Sequence, residues 1–199
     1  MTPTQFSKLY PKLYHLTFAS NLEGIRANGL QSAAALADLH AFDPSEREAT
    51  LDKRRLCIQT LHGVTLRDQH TAPDAKMKSC LVKITIPEWF ALLNSKTFFF
   101  LSRDKALRLA ETYSAYENLL LEVDTAKLLA THARHTTLCR INPGGFLYNP
   151  RPRGRASFIP LADFAYKNKR DTPAELTIDT PIPNILDFSV LHPIKNFPA

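Results

Sequence analysis

Short apolar segments of strand length are interleaved along this chain with segments that carry helix-start signals. The segments whose composition predicts strands are Leu13–Thr17, Leu56–Leu61, Val64–Leu66, Thr97–Leu101, Leu119–Val123, Thr136–Ile141 and Glu175–Ile178. These strands are short and their connections are irregular, unlike the repeated units of a parallel Rossmann sheet. The pattern therefore predicts a compact α+β fold.

Helix starts are predicted where a capping residue or a proline precedes an amphipathic period. Ser20 and Glu23 have the spacing of a capping box, and Gly29 is expected to end that helix in a backbone conformation that other residues resist. Further starts are expected at Ser32, Pro73, Pro87, Ser102 and Asp124. The strongly charged stretch Asp43–Arg55 is predicted to be an exposed helix.

The length and composition indicate one folded domain, residues 1–199, with no internal repeat. A hydrophobic content of 44% argues against disorder. The apolar run Thr97–Leu101 is far shorter than the roughly 20 residues that a membrane-spanning helix needs. The first residues lack the pattern of a secretory signal, so we expect a cytoplasmic protein with no membrane partner.

The cysteines Cys57, Cys80 and Cys139 are widely separated and form no CxxC pair. Neither a disulfide framework nor a metal site is expected from this spacing, and three reduced, mostly buried thiols fit a cytosolic protein. His132 and His135 lie close to Cys139 in sequence, but we interpret both as surface residues at the end of a helix.

The formal net charge of +6 favours a polyanionic partner such as nucleic acid or a phosphorylated cofactor. Part of the excess is concentrated in Arg151, Arg153 and Arg155, within the proline-rich loop Asn142–Pro160, which contains no acidic residue. A solvated loop without a ligand would have the same composition. Charge alone leaves both interpretations open.

Common phosphate-binding and hydrolase motifs do not explain this charge. The sequence contains no GxGxxG, no GxxxxGK[ST] and no GxSxG. Three other segments stand out instead. They are Leu13-Tyr14-His15-Leu16-Thr17 with Asn21-Leu22, Ile25 and Gly29-Leu30; the aromatic strand Phe98–Leu101; and Ala174–Ile178 with Ile182-Pro183-Asn184-Ile185.

In this order, the three segments resemble the ADP-ribosyltransferase fold, and most closely its DarT-like branch, which modifies nucleic acid. The resemblance implies a split, mixed central β-sheet with peripheral helices. It extends to an uncharacterised bacterial family that has an Arg-Asp-Gln stretch like Arg67-Asp68-Gln69. The opening segment also fits RNA 2′-phosphotransferases, which share the fold.

The resemblance implies that NAD is the substrate and that Glu175 is a catalytic residue. Breaking the nicotinamide–ribose bond builds positive charge on the ribose, which a carboxylate at a strand end can stabilise. Glu175 could also bind a ribose hydroxyl or accept the proton of the acceptor group. His15 would hydrogen-bond a ribose hydroxyl, assisted by Thr17, although a histidine in this position is also typical of a core residue.

The resemblance also implies an aromatic contact to the nicotinamide and an arginine that assists catalysis. Phe99 or Phe100 would pack on the nicotinamide, and strand alternation allows only one of them to face any given side. Arg67 has the planar fork that suits a diphosphate or a carboxylate, as a second catalytic residue. Asp68 and Gln69 complete a polar cluster that is either part of the cofactor site or a well-bonded turn.

The expected function is therefore NAD-dependent ADP-ribosylation of DNA or RNA, ahead of a protein side chain as the acceptor, with Arg151, Arg153 and Arg155 holding the phosphates of a nucleic acid. A catalytically silent nucleic-acid-binding module of the same fold and an RNA 2′-phosphotransferase are the alternatives. The sequence leaves open whether the protein is a toxin with a neutralising antitoxin as its partner.

Overall fold

The computed structural model describes residues 1–69, 72–147 and 150–194. The helices are α1 Pro3–Leu9, α2 Leu22–Asn28, α3 Ala33–Leu39, α4 Pro44–Arg47, α5 Asp74–Cys80, α6 Ile86–Asn94, α7 Arg103–Thr112 and α8 Thr125–His132. The strands are β1 Lys12–Phe18, β2 Gln59–Leu61, β3 Val64–Leu66, β4 Thr97–Phe100, β5 Asn118–Asp124, β6 Thr136–Cys139, β7 Ile159–Pro160, β8 Glu175–Ile178 and β9 Ser189–Ile194.

The main sheet has seven strands in the order β7-β6-β8-β4-β1-β5-β9, and β2 and β3 form a separate hairpin. The predicted α+β class is confirmed. The prediction of a mixed sheet is wrong, because every pairing between these strands is antiparallel. Strand β8 lies between β4 and β6, and the direction of such distant neighbours is not encoded in any local pattern.

The sheet is split between β1 and β4. Strands β1 and β5 pair along their whole length, from Lys12 opposite Asp124 to Phe18 opposite Asn118. Strands β1 and β4 share only the pair Tyr14 and Phe100. The two strands therefore separate beyond this pair, and the separation leaves room for side chains and a ligand between them.

Alternating side chains of the strands pack against helices on both faces of the sheet. On one face Leu13, Phe99 and Leu176 join α8 in a buried cluster, and on the other face Leu16 and Leu120 pack against α7. Helices α5 and α6 form a third cluster around Trp89, Phe90 and Cys139. Trp89 and Phe90 are core residues, with exposed fractions of 0% and 4%.

The predicted helix starts are largely confirmed, but Ser20 and Ser102 do not cap through their side chains. Ser32 and Asp124 cap their helices as expected, accepting hydrogen bonds from the backbone amides of Ala35 and Lys127. Ser20 does not cap α2. A 3₁₀ turn precedes that helix, and the Ser20 hydroxyl donates to Thr65 instead. Ser102 also lies at a helix start without a capping hydrogen bond from its side chain.

Burial overturns two surface predictions. The charged stretch 43–55 folds into α4 and a π-helical turn, Glu48–Asp52, but Thr50, Leu51 and Arg55 are buried. His132 is only 6% exposed because α8 turns back towards β6 at this point, whereas His135 is exposed as expected. A further strand, β9, follows β8 and was not predicted. Its Pro193 is tolerated because β9 is an edge strand.

Two of the cysteines, Cys80 and Cys139, are buried and Cys57 is exposed, and all three are free thiols. Within residues 1–69, 72–147 and 150–194, no helix combines the length and the apolarity needed to cross a membrane.

Candidate active site

A cavity of about 450 Å³ lies where β1 and β4 separate. Its wall brings together most of the residues that the sequence indicated for NAD binding and catalysis, although they come from distant parts of the chain. These are His15, Thr17, Arg67, Asp68, Gln69, Phe100 and Glu175. A volume of this size is in the range of cavities that hold small molecules.

His15 lies at the split in the sheet and connects its two sides. Its Nδ1 donates a hydrogen bond of 2.9 Å to the carbonyl oxygen of Phe98 on β4. Burial lowers the pKa of His15 to about 4, so the ring is neutral near pH 7. With the proton held on Nδ1, Nε2 is an acceptor and can bind a hydroxyl group in the cavity.

Thr17 is held in place by a neighbouring asparagine. The side-chain amide of Asn21 donates to Thr17 Oγ1 at 3.1 Å and to the Thr65 carbonyl at 2.9 Å. Its carbonyl oxygen accepts from the Thr65 amide, also at 2.9 Å. The hydrogen bonds of Asn21 thereby hold β3 next to the end of β1. Because Arg67-Asp68-Gln69 directly follows β3, this contact places the segment at the cavity.

The aromatic strand β4 presents Phe98 and Phe100 to the cavity, and both are half-buried. Phe99 points to the opposite face of the sheet and is 0% exposed. The prediction that Phe99 contacts the cofactor is therefore wrong. Phe99 instead supports the site from behind, because its ring packs against His15 with 5.7 Å between ring centroids.

Glu175 begins β8 and lies between Phe100 of β4 and Cys139 of β6. Burial raises the pKa of Glu175 to about 7, and the positive charge of Lys105 opposes this shift only in part. The pKa of the Cys139 thiol is also raised, chiefly by burial and secondarily by Glu175. Near pH 7 the Glu175 carboxyl group therefore exists in both protonation states, as suits a group that exchanges protons.

We expect the Glu175→Gln variant to gain stability over the wild type as the pH rises. The folded protein keeps the Glu175 proton up to about pH 7, whereas the unfolded chain loses it near 4.5. Wild-type stability should therefore fall between these values, while glutamine cannot ionise. Urea unfolding at pH 4 and pH 8 should show the difference between the proteins shifting by about 1–3 kcal/mol in favour of the variant. An unchanged difference would contradict the buried environment.

Arg67 contacts both aromatic rings at the end of β1 and α7. Its guanidinium lies 5.3 Å from the ring centroid of Phe18 and 5.1 Å from that of Tyr113, and its Nη2 donates to the Leu16 carbonyl at 2.8 Å. The Tyr113 hydroxyl donates to Asp68 at 2.6 Å. The sequence left open whether this cluster is a site or a bonded turn, and the structure shows a well-bonded segment that also lines the cavity.

Arg55 lines the same cavity and was missed by the sequence analysis, which placed it on an exposed helix. Its backbone amide donates to Gln69 Oε1 at 3.1 Å, and the Gln69 side-chain amide reaches Asn94 at 3.3 Å. The Gln69 side chain therefore holds Arg55 and α6 in position. A polar stretch that becomes buried only through contacts with distant helices leaves no local signal in the sequence.

Lys96 is a second missed cavity residue. It directly precedes β4, and its ammonium forms a 2.6 Å ion pair with Asp179, the residue after β8. The ammonium also lies 4.6 Å from the ring centroid of Phe158. Lys96 is only 8% exposed, and its charge is already balanced by Asp179.

The basic loop places its three predicted arginines in different environments. Arg151 and Arg155 are exposed, but Arg153 is 2% exposed. The Arg153 guanidinium donates to the carbonyls of Pro143 and Gly145 at 3.0 and 2.8 Å and packs on Phe146. The prediction that Arg153 binds phosphate is therefore corrected, because its side chain holds the loop together.

We expect Arg153→Met to destabilise the protein by about 2–4 kcal/mol, because several buried carbonyl oxygens lose their donor. Guanidinium chloride unfolding followed by circular dichroism measures this loss. The matched control is Arg155→Ala, an exposed arginine of the same loop, which should change stability by less than about 0.5 kcal/mol. Equal effects of the two substitutions would show that Arg153 is not the structural residue.

The loop also reaches the cavity, because Asn142 and Gly144 near its start form part of the wall.

Together these features define an α+β protein with a charged cleft at the split of an antiparallel sheet. The chain belongs to DUF7002, a family of unknown function, whose model matches residues 11–189. This range includes every cavity residue described above. No curated protein matches the sequence.

Proposed function

We propose that this protein is an NAD-dependent ADP-ribosyltransferase that modifies nucleic acid and has an ADP-ribosyltransferase-like fold. The observation that carries the proposal is the position of His15 and Glu175. They come from near opposite ends of the chain and line one cavity at the split of the sheet. The resemblance of their flanking segments to DarT-like enzymes supports the same conclusion.

In the proposed reaction the bond between the ribose C1′ and the nicotinamide nitrogen breaks, and nicotinamide leaves with the bonding electrons. The Glu175 carboxylate stabilises the positive charge that develops on the ribose. A nucleophilic group of the nucleic acid then bonds to C1′ and releases its proton, which the carboxylate accepts. His15 Nε2 is available to accept a hydrogen bond from a ribose hydroxyl.

The acceptor is proposed to be nucleic acid because the loop that borders the cavity is basic. Asn142 and Gly144 of this loop line the cavity, and Arg151 and Arg155 on its exposed part can contact phosphates. Such contacts position a strand without reading its sequence, so binding should weaken with increasing salt.

Incubation of the pure protein with labelled NAD and with DNA or RNA oligonucleotides tests the proposal. Label transfer to the nucleic acid with release of nicotinamide is the expected result. If NAD is neither bound nor cleaved, the enzyme hypothesis is wrong. Salt-dependent binding of nucleic acid without NAD turnover would favour the silent binding module. Growth inhibition on expression in bacteria would test whether the protein is a toxin for which an antitoxin exists.

RNA 2′-phosphotransfer is the second candidate, and the positive charge of the cavity wall favours it. That reaction also uses NAD but needs several basic residues around a phosphate and no essential glutamate. Arg55, Arg67 and Lys96 all line the cavity. Removal of a 2′-phosphate from RNA by the wild type, and equally by a Glu175→Gln variant, would support this candidate over the first.

A further inference from the structure

Two buried arginines in the cavity wall have no carboxylate in direct contact. Arg55 is 7% exposed and Arg67 is half-buried. Within the described residues, neither guanidinium lies within 4.0 Å of a carboxylate oxygen, although Arg26, Arg47, Arg54 and Arg140 do. Among the described residues, the acidic groups that act electrostatically on both are Asp68 and Tyr113, and Asp68 already accepts the hydrogen bond from Tyr113.

Both side chains remain charged near neutral pH. Burial lowers the pKa of Arg55 to about 10 and lowers the pKa of Arg67 as well. A buried cation without a counter-ion is unfavourable unless a bound anion compensates it. The fold thus keeps two cations in a cavity where, among the residues that the structure describes, Asp68 is the carboxylate that offsets their charge in part.

Each guanidinium is held by hydrogen bonds to the protein and keeps one terminal nitrogen available. Arg55 donates through Nε to the Arg67 carbonyl at 2.8 Å and through Nη1 to the Thr50 carbonyl at 2.5 Å and to Asn94 at 2.9 Å. Arg67 donates through Nη2 to the Leu16 carbonyl at 2.8 Å, and its Nε is buried without a partner. Arg55 Nη2 and Arg67 Nη1 have no hydrogen-bond acceptor anywhere in residues 1–69, 72–147 and 150–194.

The two arginines lie at the end of the split that is remote from Glu175. Arg67 binds the carbonyl of Leu16, late in β1, and Arg55 binds Asn94, which closes α6 just before β4. Glu175 pairs with Phe100 at the other end of β4. The length of β4 separates the two ends of the cavity by about 10 Å, at roughly 3.3 Å per residue.

We propose that Arg55 and Arg67 form an anion subsite that binds the diphosphate group of a nucleotide. The free terminal nitrogens of two neighbouring guanidinium groups can each donate to a different oxygen of a diphosphate, and such charge-assisted hydrogen bonds are among the stronger ones in proteins. The subsite itself requires no cleavage reaction. The further statement that its ligand is the diphosphate of NAD rests on the proposed function, and would place the reactive ribose towards Glu175.

Calorimetric titration of the wild type with ADP, inorganic pyrophosphate and adenosine tests the subsite. ADP should bind about ten- to a hundredfold more tightly than adenosine, which corresponds to one or two charge-assisted hydrogen bonds. Pyrophosphate should compete with ADP and raise the melting temperature. If adenosine binds as tightly as ADP and pyrophosphate has no effect, the proposal is wrong.

Substitutions locate the anion. Arg67→Lys and Arg55→Lys should each weaken ADP binding about tenfold or more and leave adenosine binding unchanged. The matched control is Arg26→Ala, an exposed arginine of α2 paired with Glu23, which should bind ADP as the wild type does. If Arg55→Lys does not fold, Arg67→Lys and the wild-type ligand series decide the question. Wild-type ADP affinity in a folded Arg67→Lys variant would overturn the proposal.

The outcomes also separate the subsite from the proposed reaction. ADP binding that depends on Arg55 and Arg67, without NAD turnover, would retain the subsite and refute ADP-ribosyl transfer. NAD turnover by the wild type, together with unaltered ADP affinity in the lysine variants, would support ADP-ribosyl transfer and refute the subsite. An RNA oligonucleotide with a 2′-phosphate that competes with pyrophosphate, while ADP does not, would replace the diphosphate by an RNA phosphate and overturn the assignment.

Discussion

The Glu175→Gln variant is expected to lose NAD cleavage by about 10²–10⁴-fold while it binds NAD within a few-fold of the wild-type affinity. Glutamine keeps the size and hydrogen-bonding capacity of the side chain but carries no negative charge. The carboxylate acts on the positive charge of the ribose, which exists in the transition state and not in bound NAD. Single-turnover measurement of nicotinamide release, with calorimetry for NAD binding, separates the two effects.

The matched control for this variant is Glu122→Gln. Glu122 is also a half-buried glutamate on a strand of the same sheet, but it contacts Lys12 and His192 and does not line the cavity. This control should cleave NAD at the wild-type rate.

The wild-type rate itself should rise with pH through about 7, because the pKa of Glu175 lies there and only the ionised group stabilises the ribose. Full activity of Glu175→Gln would exclude the proposed mechanism.

Gly29→Ala is expected to destabilise the protein by about 3–5 kcal/mol. Gly29 has φ +73° and ψ −176°, a conformation that is essentially restricted to glycine. A Cβ at this position would lie 2.4 Å from both the Ile182 carbonyl oxygen and the Pro183 Cα, so the backbone would have to move. This contact is tight because Leu30 and Ile182 form a β-bridge that ties the end of α2 to the chain after β8.

Urea unfolding with an unchanged m-value would measure this loss of stability. The matched control is Gly24→Ala, in the interior of α2, where a Cβ meets nothing within 4 Å. That substitution should stabilise the helix by about 0.5–1 kcal/mol. Gly29 and Gly24 both line the cavity, so each substitution adds a methyl group there. A comparison of the two variants therefore distinguishes the effect of a strained backbone from the effect of a smaller cavity. A neutral effect of Gly29→Ala would contradict the close approach at Ile182.

The sequence predicted the elements that carry the site better than the surroundings of the site. The strands β1, β4, β5 and β8 lie within one or two residues of their predicted bounds, because compact apolar runs bounded by capping and turn residues are local signals. The end of α2 at Gly29 is confirmed for the same reason, since it depends on a positive φ that favours glycine. The prediction that Ser20 caps a helix was wrong, because its hydroxyl donates to Thr65 on the hairpin, which is distant in sequence.

The predicted cavity residues were found by resemblance. Local sequence pattern could not show which of them line the cavity. Strand alternation showed that Phe99 and Phe100 cannot face the same side, but the choice between them depends on which face of β4 lines the cavity. Arg55 and Lys96 were missed because contacts with distant residues bury them, Asn94 of α6 for Arg55 and both Asp179 and Phe158 for Lys96. Arg153 was misjudged because an arginine in a basic loop has the same sequence pattern whether it faces solvent or carbonyl groups.

The sequence by itself determined the α+β class and the order of most strands and helices, and the resemblance singled out an early histidine and a late glutamate, which both line the cavity. Only the tertiary structure decided the antiparallel pairing, the split between β1 and β4, and the environments of the charged side chains. The physical reason is the distance along the chain between the residues that interact. Strand and helix patterns depend on neighbouring residues, whereas pairing partners, burial and the pKa of Glu175 depend on atoms that the chain brings together from far apart.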